Sequence, residues 1–292
     1  MQVIFHIGAH CTGHDRLVRS LLKNRDMLAD YGVVVPGPGR YRKVLSEALK
    51  RLRGAPASQE SEDLLIETVV ETDAADRVIL SNESFICMAP KVLDDGKIYG
   101  RIEKSAWLRN AFPSARTEFA LSLRNFATFL PALYEKIGGD FTEANAFLRG
   151  IDPVELSWVD VVAGLRAANP DCPILVWCDE DTPLLWSEIM REIAGLDGTA
   201  KIEGANDMAR RLMSQEGNRR MRRYLDRKPP RTENTRRRVL AAFLSKYAED
   251  AEIEQEILLP GWTEDLIEDL TRNYDEDLEE IAAMPGVKVL TP

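Results

Sequence analysis

The chain has 292 residues, 45% hydrophobic and 29% charged, with a formal net charge of −10. That length can bury a large core, as one α/β domain or two small ones. The acidic balance argues against general nucleic-acid or anionic-membrane binding, and no apolar run approaches the roughly 18 residues of a membrane span.

Val3-Ile4-Phe5 is a short apolar run that reads as a buried strand. The chain then turns through Gly8-Ala9-His10-Cys11-Thr12-Gly13, and Leu17, Leu21, Leu22 and Leu28 recur at helical spacing until Gly32. Strand, glycine turn and helix in that order bring backbone N–H groups and a helix N-terminus to one point, which suits an anion, usually a phosphate. Gly8 and Gly13 have the spacing of a phosphate loop, with His14 and Asp15 where Lys and Ser/Thr stand in an NTPase. A kinase or NTPase is disfavoured on those two positions, since Asp15 would repel a γ-phosphate and no loop Lys compensates.

Further along, residues 33–36 read as a short strand ended by proline, and residues 41–53 and 60–72 as helices. Strands are predicted at 77–81, 117–123 and 173–178, each ending in polar residues: Asn82-Glu83-Ser84, Arg124-Asn125 and Asp179-Glu180-Asp181. Helices are predicted at 97–111, after Asn125, at 141–149, at 153–168 and at 183–194. Such alternation gives a parallel sheet with helices on both faces, and ligands of such sheets gather outside the strand C-termini. Beyond Gly195 the pattern is mostly helical, with an acidic helix at 265–284 and a closing strand at 286–290. Residues 209–238 hold twelve Lys/Arg against three Asp/Glu, which reads either as a solvated helix face or as a surface for donor phosphates or an acidic acceptor.

His6, His10 and His14 fall within nine residues, beside Cys11 and Asp15. These are zinc-ligand types, but no fourth ligand is marked and no metal is assigned. His10 and His14 are read as anion contacts, His6 as a core residue, and Cys11 as a reactive thiol with a pKa lowered by the helix N-terminus. Glu83 is either a general base, or a partner of Arg124 or a helix cap, and Arg124 is either a phosphate contact or the partner of a nearby acid, Glu83 or Asp179. Cys11, Cys87, Cys172 and Cys178 form no CxxC pair, and no basic and apolar leader opens the chain, so reduced thiols and a cytoplasmic setting are expected.

HIGAHCTG with its following helix, the ADYGVVVP exit and the strand-end Arg124 resemble the sulfotransferases that use 3′-phosphoadenosine 5′-phosphosulfate (PAPS). In that family the loop reads close to Pro-Lys-Thr-Gly-Thr-Thr, so Thr12 and Gly13 match while Cys11 takes the Lys place. The stretches around Trp177 to Trp186 and Gly261 to Val287 resemble the family's bacterial branch in packing rather than chemistry. The resemblance implies a P-loop-like three-layer α/β fold with about four or five parallel strands, in a single domain. Residues 1–195 would form the core and 196–292 a helical extension packed on it. It further implies transfer of a sulfuryl group from PAPS to a hydroxyl acceptor, a small molecule or carbohydrate, leaving 3′,5′-bisphosphoadenosine (PAP). Gly8, Ala9, His10, Cys11, Thr12, Gly13 and His14 would hold the 5′-phosphosulfate and Arg124 the 3′-phosphate, although Ala132 replaces the family's hydroxyl partner. Glu83 would be the base, and protonated His10 or His14 would replace the loop Lys. The alternative is an inactive nucleotide-binding or interaction protein on the same fold.

Overall fold

A computed structural model describes residues 1–13, 15–70, 75–138, 147–249, 252, 259 and 261–292. His14 and most of the helix expected at 141–149 lie outside the described residues.

The fold is α/β, with one parallel sheet of six strands in the order β2-β3-β1-β4-β5-β6. The strands are β1 (Gln2–His6), β2 (Val33–Val34), β3 (Arg77–Ser81), β4 (Arg116–Leu123), β5 (Ile174–Cys178) and β6 (Val287–Leu290). The expected four or five become six because the two-residue β2 pairs with Arg77 and Val78, and β6 pairs along β5 from Ile174 to Trp177. Alternation within the central strands builds two cores. Val3, Phe5, Val78, Leu80, Phe119 and Leu121 face one side, while Ile4, Ile79 and Ala120 face the other. Both faces are covered, as an all-parallel sheet requires.

Among the described residues the first six helices are α1 (Arg16–Lys23), α2 (Arg25–Asp30), α3 (Pro38–Leu52), α4 (Gln59–Val69), α5 (Ser105–Asn110) and α6 (Phe126–Lys136). The rest are α7 (Trp158–Ala168), α8 (Thr182–Ala194), α9 (Asp207–Arg211), α10 (Gln215–Arg227), α11 (Glu233–Tyr247) and α12 (Glu264–Ala282). The helical run after the first turn is broken at Asn24, whose buried amide donates to the carbonyls of Ser20 and Glu203 and accepts from the Glu203 N–H. The helix expected at 97–111 shrinks to α5, because short 3₁₀ turns at Asp94–Gly96 and Ile102–Lys104 flank Tyr99, which stands at φ 49°. No helix among the described residues is long and apolar enough to cross a membrane.

β1 sits between β3 and β4. The chain leaves β1 toward the β2 edge and later returns to the β4 side, so the crevice beyond the C-termini of β1 and β4 is the sheet's switch point. Two anchors fix its walls. Tyr41 of α3 donates its O–H to the Ser81 carbonyl (2.6 Å) and accepts from the Ser81 N–H (2.8 Å), pinning the end of β3. Trp158 of α7, fully buried, stacks on Phe126 with ring centroids 5.1 Å apart and donates its indole N–H to the Arg124 carbonyl (2.9 Å). The last helix also reaches the crevice: the Tyr274 hydroxyl of α12 lies 3.2 Å from the Leu123 carbonyl and 3.0 Å from the Glu180 carboxylate.

Trp158→Ala should therefore lower unfolding free energy by about 3–5 kcal/mol, from lost burial and the cavity left behind. Denaturant titration measures it, and a loss below about 1 kcal/mol would contradict the anchoring of this corner.

Candidate functional site

The loop after β1 divides into two halves. Its first half is still sheet: the Ile7 N–H donates to Ala120, Ser122 donates to the Gly8 carbonyl, and Ala9 donates to the Ser122 carbonyl (3.0, 2.7 and 2.9 Å). The His10 N–H donates to the Tyr99 hydroxyl at 2.8 Å. Ala9 and His10 therefore do not offer backbone donors to an anion, contrary to the sequence expectation. Gly8 has a different role from the one expected. At φ +116°, a Cβ there would stand 3.2 Å from His10 N and 3.5 Å from the Glu83 Cα, so the missing side chain lets the β3 end close on the loop.

The second half is open. Among the described residues, the N–H groups of Cys11, Thr12 and Gly13 have no carbonyl or side-chain acceptor. Cys11 (φ 59°) and Gly13 (φ 81°) are left-handed on either side of Thr12. Alternation of that kind turns successive N–H groups to one side, forming a concave nest for an anion. The Thr12 hydroxyl is turned away, donating to the Ala9 carbonyl at 2.6 Å.

Arg124, which is 8% exposed, braces this nest from below. Its Nη1 donates to the Cys11 carbonyl (2.8 Å) and its Nε to the Thr128 hydroxyl (3.0 Å). The expected surface anchor for a 3′-phosphate thus has two of its donors turned to the protein interior. α1 begins without a side-chain cap, since the Asp15 carboxylate instead receives Arg42 in a two-toothed pair at 2.5 and 3.2 Å. Arg42 also donates to the Ser81 carbonyl, joining the loop's end to β3. Asp15 is therefore counterbalanced, and the charge argument against a triphosphate reduces to the missing loop Lys.

A cation does stand here, from a place the sequence pattern did not mark. Lys136, the last residue of α6, pairs with Glu83 Oε1, and its charge is felt by both His10 and Cys11. Glu83 therefore pairs with Lys136 and not with Arg124. The other Glu83 oxygen, Oε2, is buried with no partner among the described residues, and so is His10 Nε2.

Burial overturns two expectations. It pushes the Cys11 thiol up to about 11, against the opposite pull of Lys136 and Arg124, so Cys11 is a neutral thiol and not a reactive thiolate. It pushes His10 down to about 4, against the pull of Glu83, so His10 is neutral and cannot stand in for the loop Lys. The ring's tautomer follows from its partners. The Tyr99 hydroxyl oxygen already accepts from the His10 backbone N–H, and among the described residues the acceptor for its own proton is His10 Nδ1 at 2.8 Å. Neutral His10 with Tyr99 donating to Nδ1 carries its proton on Nε2, a buried donor without a partner among the described residues. His6 is a core residue as expected: its Nδ1 meets the Ser81 hydroxyl at 2.8 Å, its ring stacks on Trp177, and burial pushes it down to about 4.

Asp179, directly after β5, completes the crevice. Burial pushes its carboxyl up to about 7 while Arg124 and Arg16 pull it down, and its charge acts on Cys11. Among the described residues no three His, Cys, Asp or Glu side chains gather as a metal-ligand set. Lys136, Tyr99 and Arg42 are the site residues that sequence reasoning missed; Asp179, at a strand end, was visible as a possible acidic neighbour of Arg124, whose charge does act on it.

No protein-family model matches the chain, and no curated protein matches it significantly.

Asp179 predicts a pH dependence. Below about 7 its carboxyl is neutral; above that it ionises beside the nest and repels a bound anion. Sulfate, whose charge is constant in this range, should bind several-fold more weakly at pH 8 than at pH 6. Asp179→Asn should flatten that profile in calorimetry, and a wild-type profile without slope would contradict the placement.

Proposed function

We propose that the chain is a sulfotransferase-like protein that uses PAPS as donor and a hydroxyl compound, carbohydrate included, as acceptor, in a cytoplasmic setting. The observation that carries this reading is that His10 Nε2 and Glu83 Oε2, whose charge acts on the His10 ring, are each buried without a partner among the described residues, next to a loop with open backbone N–H groups. A hydroxyl is a group that accepts from the first and donates to the second. The nest, the uncapped start of α1 and Lys136 suit the anionic end of a phosphosulfate.

PAPS supplies the sulfuryl group, linked to phosphate as leaving group. The chain's residues do the rest. The N–H groups of Cys11, Thr12 and Gly13 hold the anion in place, and Arg124 keeps their peptide units oriented. His10 Nε2–H orients the acceptor oxygen. Glu83 Oε2 takes the hydroxyl proton as that oxygen bonds to sulfur and the bond from sulfur to the phosphate oxygen breaks. Lys136, bonded to the other Glu83 oxygen, holds that carboxylate in position and faces the charge released on the leaving phosphate. The neutral loop, with Cys11 and His10 uncharged, favours a second reading: a protein that binds the nucleotide without turning it over.

Calorimetry and a desulfation assay separate the readings. PAP should bind, and Arg124→Ala should weaken PAP and AMP by the same factor, about tenfold, because the brace and not a 3′-phosphate contact is lost. Glu83→Gln should leave PAP affinity within about twofold while turnover falls roughly 10²–10⁴-fold. PAP binding without any turnover returns the non-catalytic reading; absence of PAP binding removes both.

A further inference from the structure

Between α1, α9 and α10, two adjoining cavities of about 470 and 600 Å³ share Arg210 and Asn218. One wall is α1, with Arg16, Arg19 and Lys23 at helical spacing. The floor is α9, with Arg210 and Arg211. The opposite wall is α10, with Arg219, Arg222 and Arg223 on one face. Over both cavities eight cations meet two carboxylates, Asp207 and Asp226, in a chain whose total is −10.

A solvated helix face would scatter its cations or pair them. Arg220 does so: it pairs with Glu216 and lies over the Tyr247 ring, outside the cleft. Arg19, Arg211, Arg219, Arg222 and Arg223, by contrast, have no ion pair among the described residues. Arg16 is destabilised as a cation by burial and by Arg211 and Arg19, while Asp179 and Glu252 act the other way. The walls are also tied together. Lys23 reaches Asp207 at 2.7 Å, and the Asn218 amide donates to the carbonyls of Arg210 (2.7 Å) and Met213 (3.0 Å). Cations crowded in a fixed concavity repel one another unless a polyanion enters.

We propose that the α1–α9–α10 cleft binds a compact polyanion, one small scaffold carrying several phosphate or sulfate groups. Guanidinium groups match both kinds of oxyanion with paired N–H donors. A nucleic acid fits less well: among the described residues the cleft lining has no aromatic side chain for base stacking, and the acidic remainder of the chain would repel a long strand. This cleft uses none of the nest's N–H groups and meets that site through Arg16, at the start of α1, and its failure leaves the function proposed above untouched.

The test is calorimetry and thermal shift on the full chain with inositol hexakisphosphate, a fully sulfated disaccharide, inorganic phosphate and a 20-nucleotide RNA. Either polyanion binding at least about tenfold more tightly than inorganic phosphate, with a raised melting temperature, supports the site and tells phosphate from sulfate sources. Arg222→Glu/Arg223→Glu should weaken that binding about tenfold or more while leaving PAP affinity unchanged. Both positions are exposed; if the double variant fails to fold, Arg19→Glu on the exposed face of α1 should produce the same loss. The proposal is overturned by binding no tighter than inorganic phosphate, by variants that bind the polyanion as well as the wild type, or by RNA binding as tightly as the polyanion.

Discussion

The site depends on one hydrogen bond, from the Arg124 guanidinium to the Cys11 carbonyl. A peptide unit has its C=O and N–H on opposite edges, so holding the carbonyl down turns the next N–H outward. Arg124 is itself held by the Thr128 hydroxyl, and its own carbonyl is held by the Trp158 indole. Burial makes this chain of contacts rigid: an unpaired guanidinium under the loop would be costly, and the Cys11 carbonyl is one of the partners that satisfy it. The left-handed conformations of Cys11 and Gly13 are the backbone's response.

From that brace the electrostatics follow. The loop is lined by neutral groups, a thiol and an imidazole whose charged forms burial disfavours. Positive potential comes from backbone N–H groups, from the start of α1 and from Lys136 at the end of α6. A loop Lys reaches its anion from within the nest; here the cation approaches from another element and is shared with Glu83. Reactivity at the nest is thus tied to Lys136, which holds the Glu83 carboxylate in position.

Much of the fold was legible because it is written in short-range pattern. The apolar runs at Val3 to Phe5, Arg77 to Ser81 and Ile174 to Cys178 became central strands, and the polar residues closing each run came to the sheet's C-terminal edge. The two edge strands were also marked, at the valines before Pro36 and at residues 286–290, though β2 shortens to Val33–Val34, the length over which it pairs with β3. At the site, the glycine turn and Glu83 were visible, but their partners were not. Tyr99 lies 89 residues from His10, and Lys136 lies 53 from Glu83. The protonation states depended on burial, which no local pattern records, so the charged His10 and reactive Cys11 expected from sequence became neutral groups.

The central claim is that the loop presents Cys11, Thr12 and Gly13 as anion donors while Ile7, Ala9 and His10 are occupied within the protein. Amide NMR of the isotope-labelled chain titrated with PAP tests this directly. The account predicts large downfield amide-proton shifts at Cys11, Thr12 and Gly13, with those of Ile7, Ala9 and His10 nearly unmoved. Equal shifts along the whole loop, or saturating PAP binding that leaves those three amides unchanged, would contradict it.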